Sequence, residues 1–282
     1  MKLKRVLQSL LSESRTKRLE GVYGAEDLYN RKDFSSYSFA NSQIFRGIEG
    51  GPGYGYIDPS NFKRESAHTK NYYTLIIDNS DNWSEYPDRS KSIVCTTGQR
   101  AASNYGNTYL VVPEGSPKVG IAPARDIWFS FDRKLREINL STLSVLNEVI
   151  HDLSLVILDE SPPEKNYQKF KSFIQKLGKV GEENGEFEHI AKNDTSKNSE
   201  TYMKTAGSFC RAYIKQERSL YQFLEYILDP NENAFEVKKY TNPFEVEKNL
   251  EVWMTSPALL IRKDKWDEFF QKVIGMDTPF KK

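Results

Sequence analysis

The sequence predicts an α+β fold in which strands come first, helices follow, and strands return near the end. Three observations carry that expectation. Between about 37 and 131, short runs of β-branched and aromatic residues alternate with clusters of Gly, Pro, Asn and Asp, the pattern of strands and turns. Beyond about 132, apolar residues recur at helical spacing. Near 250 the strand signal resumes in "LEVWM" and "ALLIRK", on either side of Ser256-Pro257. The expected organisation is an N-terminal amphipathic helix and linker (1–36), a strand-rich core (37–132 plus 240–282) and an all-helical insertion (133–239).

The expected strands are "SQIFRGI" (42–48), "YYTLIID" (72–78), "SIVCTT" (92–97), "TYLVVP" (108–113) and "DIWFSF" (126–131). Ser141 is the expected N-cap of a helix carrying Leu143, Leu146, Val149, Ile150, Leu153, Val156 and Ile157. "SPPEKNYQKFKSFIQKLG" reads as the next helix, with Pro at its start and Gly178 just past its end. The polar stretch 181–200 reads as a loop, and one long helix is expected over roughly 200–228, burying Phe209, Tyr213, Leu220, Phe223, Leu224 and Ile227. "DKWDEFFQKVI" closes the chain as an amphipathic helix.

Composition limits the function classes. At 282 residues, 38% hydrophobic and 28% charged, the chain can bury a sizeable core. The 40 basic and 39 acidic residues leave a formal charge of +1, which argues against a broad nucleic-acid footprint. Two cysteines give no disulfide framework, and three dispersed histidines argue against a resident metal. The N-terminus starts with basic residues, but Gln8 and Ser9 interrupt its apolar run; Leu3, Val6, Leu7, Leu10 and Leu11 fall on one helical face instead. No stretch approaches the roughly 20 apolar residues of a membrane span. A cytoplasmic protein with no membrane partner is expected.

Three segments could carry chemistry. Arg46 ends the apolar run "IFRG", ahead of the loop "IEGGPGYGY". Cys95, Thr96 and Thr97 end the run "IVCTT", where it passes into the small-residue stretch "GQRAASNYG". Glu251 heads "LEVWM". A guanidinium grips phosphate through paired donors, hydroxyls orient a sugar, and a carboxylate stabilises positive charge developing on a sugar carbon.

In this order the segments resemble the mono-ADP-ribosyltransferases of the Arg–Ser–Glu type. "IFRG" is similar to the early Arg strand, "IVCTT" to the hydroxyl-bearing strand end, and "NLEVWM" to the late Glu strand. The resemblance covers about 42–131 and 240–262 and leaves the helical part unexplained. It implies a split β-sheet core and NAD as substrate, with no metal. It also implies a glycosyl-transfer reaction, found in toxins and effectors, that breaks the nicotinamide–ribose bond and passes ADP-ribose to a macromolecular acceptor. A protein is the first acceptor class and a nucleic acid the second. By the same resemblance Glu251 meets the ribose and its cation, Arg46 the phosphate and ribose, Cys95, Thr96 and Thr97 the sugar, and Tyr105 the nicotinamide ring. Two departures stand out. Cys95 replaces the first hydroxyl, and Asn249 stands where arginine-modifying members carry Gln or Glu.

Competing readings of the same residues are plain. Arg46 could be a strand-end ion pair, Thr96 and Thr97 a turn, Glu251 an edge-strand residue and Tyr105 packing. Asp126 is a rival acid at the head of "DIWFSF", and Glu114 lies in a solvated turn. "GGPGYGY" fits no phosphate-loop pattern; it reads as a flexible loop over the cleft, with Tyr54 and Tyr56 able to reach adenine. Cys95 as a nucleophile would need His68, His151 or His189 beside it and a lowered thiol pKa. The basic residues of the first 18 positions read as a solvated helix face, with nucleic-acid contact as the alternative. A binding or structural protein without turnover is the rival to an enzyme.

Overall fold

The computed structural model describes residues 17–18, 44–61, 70–193, 201–241 and 244–275. The N-terminal amphipathic helix expected around Leu3–Leu11 lies outside the described residues. The strands are β1 (Lys17–Arg18), β2 (Phe45–Ile48), β3 (Tyr54–Ile57), β4 (Ile93–Thr96), β5 (Asn107–Pro113), β6 (Lys118–Ile121), β7 (Glu236–Lys239), β8 (Glu251–Met254) and β9 (Ala258–Arg262). The helices are α1 (Tyr72–Ile77), α2 (Gln99–Ser103), α3 (Asp132–Glu137), α4 (Leu143–Leu158), α5 (Tyr167–Glu183), α6 (Glu186–Asn193), α7 (Thr201–Tyr213), α8 (Leu220–Ile227) and α9 (Trp266–Phe269). The protein is mixed α+β with an antiparallel sheet. No helix among the described residues is long and apolar enough to cross a membrane.

The chain divides into two compact units. One comprises Met1–Glu65, Tyr86–Arg125 and Glu236–Lys282; the other comprises Ser66–Glu85 and Asp126–Phe235. The helical unit therefore draws on 66–85 as well as on the later span.

In the first unit all strand pairs are antiparallel, in the order β1-β3-β9-β5-β2-β4-β8-β6-β7. The join between β2 and β4 is narrow, a single residue pair, Phe45 opposite Thr96. Elsewhere the ladders are longer: β5 pairs β9 from Tyr109 to Pro113. Side chains alternate across the two faces. On one face Phe45, Leu110, Val112, Leu259 and Ile261 pack beneath Trp266, Phe269 and Phe270. On the other, Tyr109, Val111 and Leu260 share one core with Ile93, Cys95, Val252 and Met254. Strands on both sides of the β2–β4 join feed that second core.

Several expectations need correction here. "YYTLIID" forms helix α1, whose Tyr72, Tyr73, Ile76 and Ile77 are buried. A short apolar run fits a buried helix as well as a strand, so periodicity alone misjudges it. "DIWFSF" holds a 3-10 turn (Ile127–Phe129), not a strand. The last three residues of "GGPGYGY" belong to strand β3, and Tyr54 is buried in the core opposite Ile261. The loop ahead of it is tied down. The Tyr109 hydroxyl lies 3.0 Å from the Gly50 carbonyl oxygen and 2.9 Å from that of Pro52, and Arg262 donates to Gly51 at 3.0 Å.

The second unit packs its helices around Phe170, Phe187, Phe209 and Phe223. Thr142, not Ser141, caps α4 by accepting from the Val145 amide. Gly178 lies inside α5 because the helix runs on to Glu183. A Cβ at Gly181 would sit 2.5 Å from the Phe187 ring, so glycine there lets α5 approach α6. The expected loop 181–200 contains α6, and the expected long helix is two, α7 and α8. Ser219 and Gln222 form a capping box that starts α8 afresh. All six core positions expected between 209 and 227 are buried.

Candidate functional site

Strand β4 lies between β2 and β8, so the Arg46, Cys95-Thr96 and Glu251 strands are direct neighbours in that order. The register sets Thr96 opposite both Phe45 and Glu251. Residues directly opposite share a face, so Thr96 and Glu251 sit side by side across 155 positions of sequence (251 minus 96). Arg46 and Cys95, one residue on in each strand, belong to the reverse face. The expected set thus gathers at one end of three adjacent strands, split between the two faces.

Arg46 occupies the place where β2 leaves β4. Once the backbone ladder stops at Phe45–Thr96, the Arg46 guanidinium bridges the gap by donating from Nη1 to the Val94 carbonyl oxygen. Without that donor the half-buried carbonyl would lose a strand partner. Burial pushes the Cys95 thiol up to about 12, against the opposing pull of Arg46 and with a further rise from Glu251. Arg46 and Glu251 are therefore both within electrostatic reach of Cys95. A thiol in that state is no nucleophile. His151 contacts the Tyr72 hydroxyl at 3.3 Å and His189 contacts Asn193 at 2.8 Å, while His68 lies outside the described residues. In the folded protein, Cys95 is expected to resist iodoacetamide at pH 8 and to react fully once denatured, as thiol mass labelling would record. Cys210 is also raised to about 12. Both ordinary values are 9.0, so the folded state holds protons that the unfolded chain releases. These thiols stabilise the fold below pH 9 and lose that effect as pH climbs from about 9 toward 12.

The two threonines have different work. The Thr96 hydroxyl accepts from the Gly98 amide at 3.1 Å and starts the turn into α2. Thr97 faces the chain leading into β8: its hydroxyl donates to Glu247 at 2.6 Å and accepts from the Leu250 amide at 2.9 Å. Its own amide donates to the Leu250 carbonyl at 2.9 Å. With donor and acceptor both engaged, Thr97 acts as a latch on the segment before Glu251. Asn249, in that segment, takes a left-handed backbone (φ 66°) against Gly98, where a Cβ would meet its Oδ1 at 2.2 Å.

The small residues after the strand answer a packing need. A Cβ on Gly47 would fall 2.0 Å from the Ala102 carbonyl oxygen and 2.7 Å from Tyr105 Cβ. Helix α2 therefore rests directly on β2, with Ala102 buried against it. Tyr105, expected to stack on a ring, is 67% exposed at the end of that helix.

Glu251 is nearly buried and its main chain is fixed on both sides. Its amide donates to Ala124 at 3.0 Å and its carbonyl accepts from Ala122 at 2.9 Å. Its carboxylate pairs with Arg89 (Nη2–Oε1, 2.7 Å), whose side chain is 1% exposed. Arg89 in turn lies 5.4 Å over the Trp253 ring. Nothing in the spacing of "YPDRSKS" sets Arg89 apart, because a charge among Pro, Asp and Ser ordinarily faces solvent. The rival acid Asp126 heads no strand: its carboxylate caps the 3-10 turn by accepting from the Trp128 amide at 3.0 Å. Glu114 is exposed, as a turn residue should be. Among the described residues no cluster of three or more His, Cys, Asp or Glu side chains could hold a metal ion. Comparison with protein-family models, with curated proteins and with solved structures returns no match.

Proposed function

We propose that the protein is an NAD-dependent ADP-ribosyltransferase, with an ADP-ribosyltransferase-like core built on the antiparallel sheet. The single observation that carries the reading is the adjacency of β2, β4 and β8, with Thr96 directly opposite Glu251. Segments about 50 and 155 positions apart in the chain, chosen for a guanidinium, hydroxyls and an acid, are neighbours at one strand end. The narrow β2–β4 join, which leaves two half-sheets, supports the same architecture.

The proposed reaction breaks the nicotinamide–ribose bond. The electron pair leaves with nicotinamide, and the anomeric carbon becomes cation-like before an acceptor oxygen or nitrogen bonds to it and gives up its proton. Such a transition state resembles that of glycoside hydrolysis. The Glu251 carboxylate stabilises it more than it stabilises the uncleaved nucleotide, which is what catalysis requires. The Thr96 hydroxyl orients the ribose beside it. Arg46, donating to Val94 from the reverse face, holds β4 at its narrow join with β2, and its positive charge is the one this reading assigns to the phosphate side.

Mass spectrometry of a lysate treated with the protein and NAD tests this reading. Peptides or nucleotides carrying one added ADP-ribose are expected with wild type and not with Glu251→Ala. Arg46 and Glu251 are each engaged within the fold, by Val94 and Arg89, and that favours a second reading, a binding or structural protein. Absence of any modified species or free nicotinamide would select it.

A further inference from the structure

We infer that Arg89 is the positioning residue for the Glu251 carboxylate, an inference that rests on the NAD reading above. Two things must be set for a carboxylate to meet an anomeric carbon: where its backbone lies and which way its side chain turns. The first is set by the bonds to Ala122 and Ala124 and by the Thr97 latch. The second is set by the 2.7 Å contact to Arg89. Arg89 is itself held from below. Its guanidinium lies over Trp253, whose Nε1 donates to the Pro87 carbonyl at 2.9 Å and whose ring stacks on Tyr86 at 6.3 Å. Gly120 leaves room for that ring, since a Cβ there would sit 2.3 Å from Trp253. Val94 and Gly120 flank Trp253 across the sheet, so the stack stands on paired strands. At 1% exposure Arg89 is shielded from solvent. It acts on the nucleotide through Glu251 alone.

A planar guanidinium in this slot is not replaceable by an ammonium of equal charge. Misplacing a reacting group by about 1 Å can cost roughly 10²-fold in rate. Arg89→Lys should therefore lower kcat for NAD cleavage roughly 10- to 100-fold, with KM for NAD within about twofold because no nucleotide contact is lost. In a Glu251→Gln background the same change should do nothing further, since there is no carboxylate left to aim. Trp253→Phe keeps a ring under the guanidinium and removes the bond to Pro87; it should lower kcat in the same direction by less.

The experiment is NAD glycohydrolysis by wild type, Arg89→Lys, Trp253→Phe, Glu251→Gln and the Arg89→Lys/Glu251→Gln pair, each assayed well below its melting temperature. A kcat loss that vanishes in the double variant is the expected result. Wild-type kcat in Arg89→Lys, a change confined to KM, or losses that multiply in the double variant would overturn the positioning role while leaving the NAD reading intact. No NAD cleavage by wild type would remove both, and that outcome is distinct from the others.

Discussion

Glu251→Gln is expected to reduce NAD cleavage about 10²- to 10³-fold, the loss that follows removal of one preorganised group facing developing charge. The substitution keeps the shape of the side chain and removes the charge that pairs with Arg89. What disappears is the full negative charge beside the anomeric carbon. The effect should fall on kcat, because in uncleaved NAD the positive charge sits on the nicotinamide ring and moves onto the anomeric carbon beside the carboxylate only as the bond breaks. Stability must be followed in parallel. Removing one member of a buried ion pair costs about 3–5 kcal/mol in well-buried cases, and Arg89 is almost wholly buried. Gln softens that loss by keeping the volume and polarity of the side chain; Ala does not. Initial rates of nicotinamide release, taken where circular dichroism shows both proteins folded, separate the two effects. Unchanged rates would remove Glu251 from the mechanism.

The second large effect is structural. Gly47→Ala should lower the melting temperature by several degrees, for a cost of about 1–3 kcal/mol. The added methyl would fall 2.0 Å from the Ala102 carbonyl oxygen, a backbone atom with no rotamer to escape into. Less unfolded-state entropy would return only about 0.4–1 kcal/mol. Because Gly98 is the N-cap of α2, pushing the helix off β2 also disturbs the Gly98 amide from which Thr96 accepts. Loss of NAD cleavage should therefore accompany the loss of stability. A scanning calorimetry trace matching wild type would mean that α2 does not rest on β2 as described.

Much of this was legible from residue types. "IVCTT", "TYLVVP", "LEVWM" and "ALLIRK" are short runs rich in β-branched and apolar residues, and each contributes a strand to the sheet. The glycine of "IFRG" and the alanines of "GQRAASNYG" match one another across a contact, although the sequence shows only that both are small. Strands β6 and β7 escaped notice because "KVGI" and "EVKK" are short and half polar, and their place comes from pairing with β8 and with each other. The helical unit misled in a consistent way. Gly178 looks like a terminator when only local conformation is weighed, and it is an interior residue of α5 beside Leu220. Thr97 looked like one more sugar hydroxyl; its two bonds to Glu247 and Leu250 depend on a segment 150 positions away. Arg89 was invisible for the same reason, since its partners Glu251 and Trp253 lie more than 160 positions further on.

The measurement that bears most directly on the central claim is a crystal structure of the protein with a non-hydrolysable NAD analogue. The nicotinamide-side ribose is expected at the shared end of β2, β4 and β8, with a hydroxyl within hydrogen-bond distance of the Glu251 carboxylate and the sugar beside Thr96. An analogue bound away from that strand end, or a saturating soak that leaves it empty, would contradict it.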